Sequence, residues 1–243
     1  MIVRFFIGLL LLPIIASGAY ADEPPVVVEL FTSQGCSSCP PADKFLGELA
    51  KRPELLVLAF HVEYWNYIGW TDPYSKPWAT RRQRDYSTRL KQRFIYTPEM
   101  VVQGSAEGIG SERDTIEALI RTAAENRPPH PDLKLHWRDD GALLVDLGDG
   151  RSPSGQPATV WLVGFDRMHT TQVMAGENEG KTAWDHRPVR SFRRLGGWAG
   201  YSEELVVPPD EAKNLGDYGA AIIVQQDGTG PILTAASATL PQH

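Results

Sequence analysis

Cys36 and Cys39 are the chain's two cysteines, and only Ser37 and Ser38 lie between them. A bridge across so short a loop contributes little through chain entropy. A scaffold stapled by disulfides uses more cysteines and spreads them widely. The pair is therefore placed for chemistry, namely thiol–disulfide exchange, in which Cys36 attacks as a thiolate and Cys39 resolves the mixed disulfide. Helix N-terminal N–H groups are the usual support for such a thiolate. Here Pro40 and Pro41 follow the pair, and prolines carry no N–H. Proline also biases its predecessor, Cys39, away from helical geometry. The helix is expected to start at Pro40, leaving Cys36 in the preceding turn as a mild nucleophile that accepts from the N–H groups of Ser38 and Cys39.

His61 is the second candidate. A lone histidine more often serves structure than chemistry, but with Cys36 and Cys39 it makes a set of two sulfurs and one nitrogen. Closed structural zinc takes four ligands, and no further cysteine or close histidine pair supplies the fourth. Cu(I), which favours soft sulfur ligands, fits that set better. The primary reading has no metal and no cofactor, and a copper-handling protein is the alternative.

These residues are held by recognisable elements. Val26 to Phe31 and Leu55 to Phe60 are apolar runs that predict buried strands. Between them, Ala42 to Lys51 places Phe45, Leu46 and Leu49 on one helical face. Strand, helix and strand in that order predict a βαβ unit with parallel strands. Residues 61–78 form an aromatic insertion carrying Tyr64, Trp65, Tyr67, Trp70, Tyr74 and Trp78. Such a segment is expected to pack over something, as a cover on the core or as a lid or platform beside the cysteines. Helices are expected over 79–94 and 112–126, the latter capped by Ser111, with a short strand over 100–102 and a turn region over 104–110.

Arg127-Pro128-Pro129-His130-Pro131 reads as a boundary. Beyond it, Leu133 to Trp137 and Leu143 to Leu147 flank Asp139-Asp140-Gly141 as a hairpin. Residues 158–165 and 170–175 read as a second strand pair, and 218–225 with 232–236 as a third. Gly176 to Lys181 has the composition of a turn. This half is expected to be β-rich and antiparallel, either a small sandwich or an extension of the first sheet.

Arg4, the apolar run Phe5 to Ile15 and Ala19-Tyr20-Ala21 have the form of a cleaved signal peptide. The apolar run is shorter than the roughly 20 residues that a membrane span needs. The expected product is therefore exported, periplasmic or secreted, with no membrane partner after cleavage. The net charge of −6 argues against nucleic acid, which needs concentrated basic residues. The basic run Arg81-Arg82-Gln83-Arg84 reads as the solvated face of a helix.

A strand ending just before Cys-x-x-Cys, a helix after it, and Thr97-Pro98 leading into a strand together resemble the thioredoxin superfamily. More narrowly, Glu29 to Asp43, His61-Val62-Glu63-Tyr64-Trp65, Gly69-Trp70, Tyr96-Thr97-Pro98 and Gly176-Glu177-Asn178 resemble a group of secreted, thioredoxin-like proteins catalogued as a domain of unknown function. The resemblance implies an α/β fold: a leader over 1–21, a thioredoxin-like domain over 22–128, and a smaller β-rich domain over 129–243. It implies a cis Pro98 facing the cysteines, and Thr97 as the residue whose backbone pairs with an extended substrate. It also places Glu29 near the position of a buried carboxylate beneath the cysteine pair. There it would accept the resolving thiol's proton, unless it faces a polar loop or pairs with a basic side chain. The implied partner is a protein thiol or disulfide. An inert thioredoxin-like interaction module is the remaining alternative.

Overall fold

The computed structural model describes residues 23–152 and 155–241, so the leader expected over 1–21 lies outside the described residues. β1 (Val26–Thr32) is buried along its whole length. α1 (Pro40–Leu49) then returns the chain to β2 (Leu55–His61), which pairs with β1 in parallel from Val26↔Leu55 to Thr32↔His61. α2 (Pro77–Arg89) follows the aromatic segment, with Pro77 in the first turn, where a missing N–H costs nothing. β3 (Glu99–Val102) runs antiparallel on the other side of β1, and β4 (Ala106–Ile109) pairs with β3, so the sheet order is β2-β1-β3-β4. α3 (Arg113–Glu125) closes this half.

Three local expectations need correction. The turn region over 104–110 contains β4, because the chain folds straight back along β3. Ser111 does not cap α3; Glu112 occupies that position and makes no side-chain cap. α2 ends at Arg89 rather than Phe94, with Lys91 at a positive φ of 58°.

Beyond residue 130 come β5 (Leu133–Trp137), β6 (Leu143–Leu147), β7 (Ala158–Phe165), β8 (Met168–Gln172), β9 (Thr182–His186), β10 (Val189–Trp198) and β11 (Glu203–Val207). A short helix, α4 (Pro209–Ala212), precedes β12 (Gly219–Gln226) and β13 (Ile232–Thr239). They form a four-stranded sheet β10-β7-β12-β13, a three-stranded sheet β11-β6-β5 and the β8–β9 hairpin. The expected pairing of 158–165 with 170–175 is absent. β7 lies between β10 and β12, while β8 pairs with β9 across the turn at 176–181.

The strand period of two sorts the core into layers. Val26, Val28 and Leu30 face α1 and α3, meeting Phe45, Leu46, Leu49, Ile116 and Ile120. Val27 and Phe31 face the other way, onto Val163, Phe165, Ala221 and Ile223 of the second sheet. Alternate residues of that sheet, among them Val160, Leu162, Ile222 and Val224, bury against Leu143, Val145 and Leu147 of the third. The result is a mixed α/β fold, mostly strand. Its β-rich half stacks face to face on the first sheet, and one apolar cluster draws residues from both sides of the 128–129 boundary.

Candidate functional site around the Cys36–Cys39 disulfide

Cys36 and Cys39 are joined by a disulfide in the turn between β1 and α1. Cys36 N–H donates to Ser33 O and Cys39 N–H to Cys36 O, so the loop is a tight double turn. The helix begins at Pro40. Cys39, however, adopts helical angles (φ −77°, ψ −36°) against the bias of the following proline. Its carbonyl accepts from Ala42 and Asp43 N–H, which offsets that bias. Neither cysteine has exposed surface, although Ser37 and Ser38 between them are exposed.

The Thr97–Pro98 bond is cis, and Thr97 O lies 3.8 Å from Cys36 Sγ. Ser38 Oγ sits within 3.3 Å of Cys36 Sγ and 3.4 Å of Thr97 O. The aromatic segment covers this loop as well as the core. Trp65 Nε1–H donates to Thr97 Oγ1 at 2.7 Å, and Trp70 Nε1–H donates to Gln34 Oε1 at 3.0 Å. A Cβ on Gly35 would stand 3.3 Å from Trp65 Cβ, so a larger residue there would push the aromatic cover back by a few tenths of an ångström.

Beneath the loop lies a buried cluster of charge. Gln34 N–H donates to Asp72 Oδ2 (2.9 Å), and Gln34 Nε2–H donates to Asp185 Oδ2 (2.7 Å). His61 Nδ1 lies 2.7 Å from Asp72 Oδ2 and its Nε2 lies 3.9 Å from Asp185 Oδ1. Asp43, one helical turn beyond Cys39, accepts from Thr32 Oγ1 at 2.8 Å. Burial disfavours the His61 imidazolium, but the charge and hydrogen bond of Asp72, then the charges of Asp185 and Asp43, outweigh it and raise its pKa to about 9. Burial lifts Asp43 to about 7, opposed by His61 and the Thr32 hydrogen bond and reinforced by Asp185 and Asp72. Asp185 is also raised, chiefly by burial. Asp72 is held low: burial is outweighed by His61 and by the Gln34 and Tyr74 N–H groups.

The turn at 176–181 fastens the loop from outside. Asn178 is buried, and its Nδ2 donates to both Gln34 O and Cys36 O at 2.9 Å. Lys181 Nζ holds the other end of that amide, donating to Asn178 Oδ1 at 2.9 Å. The sequence marks this stretch as a turn and Gly176-Glu177-Asn178 as part of the family resemblance, without a role for Asn178. Asp72 and Asp185 carried no local signal, because they reach the loop across 38 and 151 residues. Asp43 did carry one, its one-turn spacing from Cys39.

Two expected roles are relocated. Glu29 shares a sheet face with Val27 and Phe31, pointing away from α1 towards the second sheet. There Arg82 Nε and Nη2 both donate to Glu29 Oε1, at 2.9 and 2.7 Å, and Arg82 also reaches Tyr86 and Gln225. Arg82 is thus buried rather than part of a solvated face, while Arg81 and Arg84 remain exposed. The Cys36, Cys39 and His61 side chains do not converge as ligands: the sulfurs bond each other and His61 turns to its carboxylates. Among the described residues, Asp166, His169 and Asp217 make the one group with metal-ligand spacing. Its atoms already bond one another and Arg190.

The chain is similar to a crystal structure of a protein from Agrobacterium tumefaciens, with 27% identity and a TM-score of 0.76 over 92% of this chain and 100% of that one. No curated protein matches it. Residues 27–225, which hold the disulfide, the buried charge cluster and Asn178, match one family over most of the chain, and the protein belongs to that family, described as a protein of unknown function (DUF1223).

Proposed function

We propose that the chain is an exported, thioredoxin-like protein that exchanges disulfides with protein thiols through Cys36 and Cys39. One observation carries the reading: a Cys-x-x-Cys disulfide, set between a strand and a helix of a βαβ unit, meets a cis Thr97–Pro98 carbonyl 3.8 Å from Cys36 Sγ. The leader motif in the sequence supports export.

In the exchange, a partner thiolate attacks Cys36 Sγ, the Cys36–Cys39 bond breaks, and its electron pair leaves on Cys39 Sγ. Asp43, with its pKa about 7, supplies the proton that Cys39 takes up, in place of Glu29. A second partner thiolate then attacks the partner sulfur of the mixed disulfide. This releases Cys36 as a thiolate and leaves the partner oxidised by two electrons. Thr97 and Pro98 form the wall that a partner's backbone meets. Attack requires Ser37, Ser38 or the Trp65 cover to move, because neither sulfur is exposed.

That burial favours a second reading, a non-catalytic interaction module whose disulfide is permanent. Reduction of insulin by the purified mature protein separates the two. Turnover that disappears in Cys36→Ser, with a mixed disulfide trapped in Cys39→Ser, supports exchange. A very negative reduction potential with no turnover sinks the exchange reading and leaves the module.

A further inference from the structure

A pocket of about 410 Å³ opens beside the cysteine loop, between the first turn of α1 and the β8–β9 hairpin. Its size lies within the range of small-molecule sites. The inner wall is Gln34 and Asp43, the mouth carries Lys44 and Lys181, and Trp184 and His186 form the hairpin side. We propose that this pocket binds a small carboxylate with a planar apolar body, at a site beside the disulfide that shares Asp43 with the exchange chemistry.

The charge balance selects an anion. Lys44 and Lys181 are exposed at the mouth, and Lys181 is oriented by its bond to Asn178 Oδ1. Glu177 and Glu179 on the adjoining turn do not line the pocket. Glu48, further along α1, is spent on Arg113. Deeper in, the carboxylates of Asp72 and Asp185 share the positive His61.

The apolar part of the ligand has a specific surface to meet. Trp184 is a large aromatic left 54% exposed, on a strand whose neighbouring His186 rests its ring directly on Gly47. Leaving a tryptophan uncovered beside paired lysines makes a stacking face next to a charge anchor. His186 itself is pushed below its ordinary pKa by burial and by the charges of Lys51 and Arg187, so it is neutral near pH 7 and adds a polar contact without charge.

Asp43 sets the pH response. In its protonated form it donates a hydrogen bond to a bound carboxylate; once ionised it repels one. The groups facing it are His61, Asp72 and Asp185 from the interior, Thr32 through its hydroxyl, and the two pocket lysines. Anion binding should therefore weaken as pH rises through about 7.

The experiment uses the intact mature protein and three probes of one shape: benzoate, its neutral analogue benzamide and the cation benzylamine. Ligand-observed NMR and calorimetry report binding with no reference to thiol chemistry, so failure here leaves the exchange reading untouched. Benzoate is expected to bind saturably at millimolar concentration or below, with benzamide and benzylamine much weaker. Lys181→Met, which also frees Asn178 Oδ1 and is therefore checked for folding by circular dichroism, should weaken benzoate by about fivefold, and Trp184→Ala should weaken it too. Asp43→Asn keeps a donor but cannot ionise, so its affinity should no longer change between about pH 6 and pH 8. Three results overturn the proposal: no saturable benzoate binding, benzylamine binding as well as benzoate, or unchanged affinity in Lys181→Met.

Discussion

Two clusters of buried charge lie within this fold, and they are built on opposite plans. Between the first and second sheets, Arg82 meets one carboxylate, Glu29, and is walled by Phe60, Tyr86, Trp161 and Phe192 at 4.6 to 5.9 Å. One permanent cation answers one carboxylate. Beneath the cysteine loop, three carboxylates surround a single imidazole, and two of the four groups have pKa values of about 7 and 9. The first arrangement is matched one to one and holds two sheets together, and a pocket of about 350 Å³ reaches Arg82 past Trp161 and Phe192. The second is poised, and its groups touch both the disulfide loop and an open pocket. Burial of charge alone therefore does not mark a functional site; an unequal number of acids and bases beside a reactive group marks it better.

That contrast can be broken by substitution. Arg82→Met leaves Glu29 buried without a counter-ion, and it should cost about 3–5 kcal/mol in chemical denaturation. Adding Glu29→Leu should recover most of that loss, because the pair would be replaced by apolar packing. A double variant as unstable as the single one would mean that Arg82 stabilises through its aromatic neighbours instead.

The poised cluster should show itself in pH. His61 is raised from its ordinary 6.5 to about 9, so its contribution is complete below 6.5 and fades as pH climbs through 9. Asp43, raised to about 7, works in the same direction: the folded state favours its protonated form and loses that advantage as pH rises through 7. Thermal midpoints should fall by about 5 °C between about pH 6 and pH 9. In His61→Gln most of the upper part of that fall should vanish, whereas in the Arg82 variants the slope should remain.

The smallest effect concerns the clamp. Asn178→Ala removes two hydrogen bonds to buried carbonyls and should cost about 1–3 kcal/mol. It should also speed reduction of the Cys36–Cys39 bond by dithiothreitol, since the loop would open more readily. Unchanged reduction kinetics would limit Asn178 to a stabilising part.

Much of the scaffold was legible because its signals are local. The unbroken apolar runs of β1 and β2 and the periodic face of α1 specify a βαβ unit without any distant information. Pro40 marks the helix start by removing the N–H that an earlier start would need. The site was legible only where its residues adjoin the cysteines. Glu29 was drawn to the cysteines by its place in the chain, but strand alternation puts its side chain on the far face of the sheet. Asp72, Asp185 and Asn178 converge only after the hairpin docks; Gly176-Glu177-Asn178 is marked by resemblance alone, and nothing in the neighbourhoods of Asp72 and Asp185 announces them. β9, β10 and β11 escaped because their residues are mostly half-buried or exposed and lack long apolar runs.

The Asn178 clamp also carries a timing. Its amide reaches Cys36 O across 142 residues of chain. A growing chain therefore presents both cysteines long before the residue that locks their loop exists in folded form. Throughout that interval the sulfurs meet whatever oxidant or reductant surrounds them. Once the hairpin seats, the redox state they have reached is enclosed along with them.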